Sequence, residues 1–181
     1  EDVSFFNERT GLAGVLDGVG GWKKLDPEAD ARKFAEILAK HISDSVENQG
    51  LDGLRIQLSV ALDFAVNQVK GSSTVSLAML RESDGYLVGL NIGDSSVMVF
   101  RGTQLVFSTQ PGQFKFGYPH QVGTNHPLKG EILQEFSFQV KPGDWVALMT
   151  DGVTDNLWPS EIAEVIESNQ SLSTFGGFLY V

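Results

Sequence analysis

Aspartates that close apolar segments and precede glycine are the residues of this sequence best suited to chemistry. Asp17 follows the apolar run 12–16, and Asp151 follows a second apolar run at 145–150. A carboxylate in this position projects from the rim of a sheet, and the following glycine lets the backbone turn close to a bound ligand. Carboxylates that converge at one rim repel one another unless cations lie between them. Oxygen ligands, without cysteine and with few histidines, suit Mg²⁺ or Mn²⁺ rather than zinc.

Other acidic residues have related contexts. They are Asp94 after the apolar segment 90–93, Asp155 one helical turn beyond Asp151, and the pair Glu1-Asp2 before a predicted strand. Asp-Gly pairs are more often simple turns, so the spacing alone makes this only a hypothesis of a metal site. We assign Asp84-Gly85 to a hairpin turn and Asp52-Gly53 to a helix start.

Composition excludes several classes of protein. The 181 residues carry a formal net charge of -10 and contain no cysteine. The negative charge repels nucleic-acid phosphates and anionic membranes, so we expect neither as a partner. Without cysteine, a disulfide framework, thiolate catalysis and a Cys₄ zinc site are excluded. The length suits one domain, and the sequence shows neither an apolar run long enough for a transmembrane helix nor a secretory leader.

Two amphipathic helices are predicted near the middle of the chain. The first spans 27–47, because apolar residues recur there at helical spacing, with Pro27 in its first turn and Asp26 as its N-cap. The second spans 54–69, after a break at 48–50. A last helix is predicted at 159–168.

Strands are predicted on both sides of this helix pair. They span 3–7, 12–16, 74–81, 86–92, 95–101, 104–108, 131–140 and 144–150. The four strands between 74 and 108 have the spacing of an antiparallel meander, and 109–129 is predicted to be a long surface loop. Helices that arrive as a pair between blocks of strands favour an α+β fold with helices on antiparallel sheet. Periodicity alone does not distinguish one sheet from two.

Five motifs, in this order and spacing, resemble the protein phosphatase 2C (PPM) family. They are Glu1-Asp2, Leu-Asp-Gly-Val-Gly-Gly-Trp at 16–22, Gly-Ser-Ser-Thr at 71–74, Asn-Ile-Gly-Asp-Ser at 91–95 and Thr-Asp-Gly-Val-Thr-Asp-Asn at 150–156. The Val-Gly-Gly-Trp continuation and Phe-Gly-Tyr-Pro-His-Gln at 116–121 resemble the subgroup that includes organelle-targeted members. The resemblance covers nearly the whole chain. It implies one catalytic domain over 1–181, lacking terminal pieces, with an antiparallel β-sandwich flanked by helices (α-β-β-α).

The resemblance also implies a ligand set for two divalent cations, Mg²⁺ or Mn²⁺. Asp17 bridges both ions with the backbone carbonyl of Gly18 beside it, and Asp151 holds one of them. The remaining implied ligands are Glu1 for the other ion, Asp2 through a bound water, and Asp94 and Asp155, which with Asp151 match the positions of a third, weaker ion. Such ions activate a water that attacks the phosphorus in line.

Three features depart from the family pattern. Val19 stands where many members have a histidine that is proposed as a general acid, although the Val-Gly-Gly subgroup shares this change. The arginine that usually precedes the Glu-Asp pair is absent before Glu1, and no Asp or Glu follows Glu167, where the family supplies another metal ligand. We therefore expect either missing terminal pieces or one impaired metal site.

For several side chains the sequence allows two interpretations. Trp22 either packs over the preceding turn or contacts a peptide. Arg101 and Lys115 are phosphate contacts or, as we favour, surface charges. His120 and His126 lie in the predicted loop, where histidines are more often solvated than catalytic.

The function implied by the resemblance is metal-dependent hydrolysis of phosphoserine and phosphothreonine, so the expected partner is a phosphorylated protein. A catalytically weak domain of the same fold that binds or regulates a partner is the alternative, supported by Val19 and the missing final acid. Hydrolysis of a small phosphate ester is a third hypothesis. We expect an intracellular monomer, and the sequence does not distinguish the cytoplasm from an organelle such as a mitochondrion or plastid.

Overall fold

Two large β-sheets and two small two-stranded sheets form the strand structure of the computed structural model, which describes residues 1–45, 50–169 and 178–180. The longer strands are β1 Asp2–Asn7, β2 Leu12–Asp17, β4 Val75–Arg81, β5 Tyr86–Ile92, β6 Ser96–Arg101, β7 Gln104–Ser108, β11 Gln134–Gln139 and β12 Asp144–Met149. The short strands are β3 Ser72–Ser73, β8 Gln113–Lys115, β9 Tyr118–Pro119, β10 Val122–Gly123 and β13 Phe178–Tyr180. One large sheet has the order β1-β2-β4-β5-β11 and the other the order β13-β12-β6-β7, and the small sheets pair β3 with β10 and β8 with β9.

The predicted meander is wrong in one respect, because its four strands are divided between the two sheets. β4 pairs with β5 in the five-stranded sheet, whereas β6 pairs with β7 and β12 in the other. The chain crosses between the sheets at residues 93–95. The Gly-Asp sequence there is equally typical of a hairpin turn, so the sequence did not indicate the crossover. This crossover places Asp94 between the two sheets.

The helices cover both outer faces of the sandwich. They are α1 Trp22–Leu25, α2 Ala31–Ser45, α3 Leu51–Val66, α4 Asp151–Thr154 and α5 Pro159–Asn169, with a 3₁₀ turn at Gly130–Ile132. Phe34 of α2 and Leu58 of α3 lie in a buried cluster with side chains of the five-stranded sheet. Ile162 and Ile166 of α5 pack on Phe100 and other residues of the four-stranded sheet.

A third buried cluster joins the sheets to each other. Val15 and Leu87 from one sheet meet Val99 and Leu148 from the other. The central strands β2, β4, β5, β6 and β12 are therefore buried on both faces, which explains their nearly continuous apolar sequences. The layer order is helix, sheet, sheet, helix, and the predicted α-β-β-α fold is confirmed.

The start of α2 corrects the prediction for the first helix. The helix begins at Ala31, and the carboxylate of Asp30 accepts a hydrogen bond from the Lys33 amide at 2.9 Å, as an N-cap does. Asp26 does not cap this helix, because its carboxylate pairs with Lys70 at 2.7 Å. Residues 46–49, which held the predicted helix end and most of the break, lie outside the described part.

Other predicted boundaries shift by a few residues. The second helix begins at Leu51 and ends at Val66, and the predicted strand 131–140 is divided into the 3₁₀ turn and β11. The predicted loop 109–129 contains the short strands β8, β9 and β10. Among the described helices, none combines the length and apolar character needed to span a bilayer.

Candidate functional site

The predicted acidic residues gather at one end of the sandwich. Asp17 ends β2, Asp151 begins α4 directly after β12, and Asp94 lies in the crossover between the sheets. Asp2 lies opposite Asp17 in the β1–β2 ladder, and Asp155 follows α4. Burial and the nearby carboxylates of Asp2, Asp151 and Asp94 raise the pKa of Asp17. Burial and the carboxylates of Asp151 and Asp155 raise the pKa of Asp94.

Glu1 lies beside the same loop. The amide of Gly18 donates to the Glu1 carbonyl oxygen at 3.3 Å. A Cβ added to Gly20 would lie 3.6 Å from Oε2 of Glu1, so this carboxylate points toward the glycine-rich segment after Asp17. The residues predicted to bind metal are thus neighbours in the structure, and their role as ligands stays a prediction.

Buried hydroxyl groups hold the backbone of Asp17 in place. Thr74 accepts a hydrogen bond from the Asp17 amide at 3.0 Å, and Ser73 donates to the Asp17 carbonyl at 2.9 Å. The hydroxyls of Thr74 and Ser95 are 2.9 Å apart, and Ser95 follows Asp94 directly. Because Ser73, Thr74 and Ser95 are fully buried, this network links the end of β2 to the starts of β4 and β6.

Sequence reasoning assigned no role to these hydroxyl residues. Gly-Ser-Ser-Thr was noted as a motif, but its small polar residues are equally typical of an exposed turn. The available signal was the long apolar strand that follows at once, which indicates that the preceding polar residues enter the core.

Two glycines let the backbone approach closely at this end. A Cβ on Gly18 would lie 2.6 Å from the carbonyl oxygen of Ala31 at the start of α2. Gly93 has a φ of 100°, and a Cβ there would lie 2.6 Å from Cγ2 of Thr74. Gly18 follows Asp17 and Gly93 precedes Asp94. The close packing at these glycines therefore fixes the backbone positions from which the two aspartate side chains project.

The electrostatic environment of Asp17 opposes its ionisation. Burial, above all, and then the neighbouring carboxylates of Asp2 and Asp151 raise the pKa of Asp17 to about 7, and Asp94 adds to the rise. A carboxylate with this environment favours a bound cation, because positive charge offsets both the burial and the repulsion.

Asp94 provides independent evidence for a missing positive partner. Its Oδ1 atom is buried and has no hydrogen-bond partner among the described residues. Burial raises the pKa of Asp94, and the charges of Asp151 and Asp155 raise it further. Buried polar atoms nearly always have a partner, so an unsatisfied carboxylate oxygen indicates a place for an ion or a water.

The donors fit a hard divalent cation, although they do not form a complete cage. Within residues 1–45, 50–169 and 178–180, no group of three or more Asp, Glu or His side chains is arranged so that it could hold a metal ion. Mg²⁺ typically keeps several waters and uses only one or two carboxylates from the protein. The unsatisfied Asp94 oxygen and the all-oxygen donor set are therefore compatible with such an ion.

Other candidate residues lie elsewhere or have structural partners. Arg101 forms a bidentate pair with Asp144, with both N···O distances at 2.8 Å, so the preferred interpretation as a charge outside the site agrees with the geometry. The Lys115 ammonium lies over the Tyr118 ring, 4.0 Å from its centroid. The family supplies a final acidic ligand in the stretch after residue 167, where this sequence has no Asp or Glu, and most of that stretch, at 170–177 and 181, lies outside the described part.

The sequence matches a known family over most of its length. The family described as Stage II sporulation protein E (SpoIIE) matches residues 25–176. Probable protein phosphatase 2C 80 from Arabidopsis thaliana is 32% identical over 175 residues, which cover 93% of this chain and 40% of the relative. Protein phosphatase PTC7 homolog fig from Drosophila virilis is 34% identical over 171 residues, which cover 87% of this chain and 54% of the relative. The chain thus spans about half the length of these relatives.

Solved structures share the fold. The photosystem II phosphatase PBCP superposes with a TM-score of 0.79 and 29% identity, covering 94% of this chain and 66% of the other. The catalytic domain of the serine/threonine protein phosphatase PstP, solved in complex with two manganese ions, has a TM-score of 0.68 and 16% identity. That match covers 92% of this chain and 77% of the other, and at this identity it shows the fold alone.

Proposed function

The chain belongs to the SpoIIE and protein phosphatase 2C family, and from this premise we propose that it is a metal-dependent phosphatase acting on phosphoserine and phosphothreonine in proteins. The proposal includes a site for two divalent cations, Mg²⁺ or Mn²⁺, with room for a third. The family relationship supports phosphatase chemistry, and the buried Asp94 oxygen that has no partner among the described residues supports the use of a divalent metal.

The observation that carries the proposal is the uncompensated acidic end of the sandwich. Asp17 has its pKa raised to about 7, and Asp94 keeps a buried oxygen without a partner, although a cluster of this kind destabilises the fold. Folds tolerate such groups mainly where function requires them. A purely structural role does not explain why these carboxylates have no basic partner among the described residues.

We assign the ions to the carboxylates of Asp17, Asp151 and Glu1 with the Gly18 carbonyl, and a weaker ion to Asp94 and Asp155. Asp2 acts through a water. When bound, the cations activate water for attack on phosphorus and neutralise charge on the phosphoryl oxygens.

The chain itself contributes orientation. The hydroxyls of Ser73 and Thr74 fix the backbone of Asp17 from both sides, so its carboxylate is held before any ligand arrives. Gly18 brings α2 against the same loop, which limits the access of bulk water from that side. Val19 has no titratable group, so the proton for the leaving oxygen comes from elsewhere, and we assign it to water.

The test is hydrolysis of p-nitrophenyl phosphate and of a phosphoserine peptide in Mn²⁺, with and without EDTA. We expect turnover that EDTA abolishes. Asp17→Ala and Asp151→Ala should each lower kcat/KM by about 100-fold or more, since losing one electrostatic contact to the transition state costs about that much.

Asp84→Ala is the matched control, because Asp84 also precedes a glycine but pairs with Arg81 at the surface. It should keep the activity of the parent protein. Turnover that persists in EDTA would contradict the metal site. A protein that binds Mn²⁺ but hydrolyses neither substrate would instead favour the binding or regulatory role.

A further inference from the structure

A groove of about 780 Å³ opens beside the acidic end of the sandwich. Val19 and Gly20 form part of its wall, and they follow the Asp17-Gly18 pair directly in the chain. Gly20 also lies next to the Glu1 carboxylate. The groove is therefore continuous with the proposed catalytic site, and its volume lies in the range of ligand-binding clefts.

The opposite wall of the groove is tied to the same structural element as Asp17. Gln121 and Thr124 belong to this wall, and β10 between them pairs with β3. The hydroxyl of Ser73 in β3 donates to the Asp17 carbonyl. Both walls thus have a fixed position relative to the acidic cluster.

Trp22 in the groove is held by its polar edge. Its indole Nε1 donates to the Ser72 hydroxyl at 2.6 Å, and that hydroxyl donates to Oε1 of Gln121 at 2.5 Å. The ring of His126 meets the indole edge-on, with centroids 6.3 Å apart. Since its only hydrogen-bond donor is used, the indole offers the groove an apolar surface in one orientation.

Two exposed apolar side chains extend this surface. Leu25 is 84% exposed and Tyr118 is 59% exposed, and both line the groove with Trp22. Single exposed apolar residues need no explanation, but several around one concave surface indicate a binding site.

The charged residues that line the groove neutralise each other. The Lys70 ammonium and the Asp26 carboxylate are 2.7 Å apart, and this contact raises the pKa of Lys70 and lowers that of Asp26. Neither charge is left over to attract an ionic group of a ligand. The chemistry of the groove therefore favours an apolar ligand over an acidic or basic one.

We propose that this groove binds an apolar or aromatic side chain of the phosphoprotein substrate, close in sequence to the phosphorylated residue. Trp22, Leu25 and Tyr118 form the apolar contact and so set the sequence preference of the enzyme. This inference rests on the proposed function, because it requires that the acidic end receives the phosphoryl group.

The test uses phosphoserine peptides with a glycine-serine background, in which a single phenylalanine is moved along both sides of the phosphoserine. A second series carries aspartate at the same positions. kcat/KM is measured in Mn²⁺ for each peptide, and p-nitrophenyl phosphate is assayed in parallel because it has no flanking residues. We expect one or two phenylalanine positions to raise kcat/KM about 10-fold over the background peptide, which is typical for burial of an apolar group in a pocket.

The readout for variants is the ratio of kcat/KM for the best phenylalanine peptide to that for the background peptide. Leu25→Ser and Tyr118→Ser should lower this ratio toward one, and both alter exposed side chains. Trp22→Ala should lower it most. The matched control is Phe116→Ser, since Phe116 is 77% exposed in the same loop as Tyr118 and does not line the groove. This control should keep the ratio of the parent protein.

The outcomes separate the two proposals. If the parent protein hydrolyses p-nitrophenyl phosphate and peptides without any preference for phenylalanine, the groove inference is overturned and the phosphatase proposal stands. A preference for the aspartate series, or a ratio unaffected by Leu25→Ser and Tyr118→Ser, also overturns it. Absence of turnover on every substrate overturns the proposed function and this inference with it.

Discussion

Aspartates lie at both ends of the strand pair β6 and β12, and their surroundings differ between the two ends. At one end, Asp144 pairs across the ladder with Arg101, and its side chain is only 2% exposed. The arginine lowers the pKa of Asp144. At the other end, Asp94 precedes β6 and Asp151 follows β12, and no described basic side chain pairs with either carboxylate.

The difference shows how one architecture supplies both stability and a site. Asp144 also accepts a hydrogen bond from the Lys141 amide at 2.8 Å, so its charge is satisfied by the protein. The oxygen of Asp94 that lacks a partner, and the raised pKa of Asp17, show the opposite condition. We interpret the first end as a structural clamp and the second as a site that is completed by a ligand.

Removing the clamp should have the largest effect on stability. Asp144→Ala breaks both hydrogen bonds to Arg101 and the one to the Lys141 amide, so we expect a loss of about 2 to 3 kcal/mol in the free energy of unfolding. Urea denaturation measures this loss. Metal-dependent activity of the folded variant should remain close to that of the parent protein, and a large loss of activity without unfolding would contradict the division between the two ends.

Removing a charge from the acidic end should raise the free energy of unfolding rather than lower it. Asp17→Asn removes a charge that burial and neighbouring carboxylates oppose, so in EDTA at pH 8 the variant should be more stable than the parent. We expect a gain of about 1 to 2 kcal/mol, after allowing for solvent screening of a partly exposed group. Thermal unfolding in EDTA tests this, and a variant that is less stable than the parent would show that Asp17 has a stabilising partner.

The pH dependence of the clamp should be the smallest effect. Because its pKa in the folded protein lies below that in the unfolded chain, ionised Asp144 stabilises the fold above the unfolded value of about 4. That contribution is lost as the pH falls through the lowered folded value. The stability gap between the parent and Asp144→Ala should therefore be constant near neutral pH and narrow as the pH falls below about 4. A gap that widens in acid would contradict the pairing.

The sequence supported prediction of the acidic positions and of most elements. Asp17 and Asp151 were identified because each closes an apolar strand before a glycine, and this local pattern does not depend on distant contacts. The helix pair between strand blocks indicated an α+β fold, and the layer order was implied only by the family resemblance.

Features that depend on distant partners were not predicted. Asp26 has the sequence context of an N-cap, but it pairs with Lys70, 44 residues away. The chain crosses from one sheet to the other at 93–95 because β5 pairs with β4 whereas β6 pairs with β12. The local sequence of the turn does not determine these pairings. The role of Thr74 likewise becomes visible only through its complete burial beside Asp17.

Binding of Mn²⁺ tests the central claim most directly. Isothermal titration calorimetry on the parent protein, Asp17→Asn and the surface control Asp84→Asn compares the acidic end with an exposed Asp-Gly turn. The parent and the control should bind Mn²⁺ alike, and Asp17→Asn should bind it at least about 10-fold more weakly. A parent protein that binds no Mn²⁺, or an Asp17→Asn variant that binds it as tightly as the parent, would contradict the account.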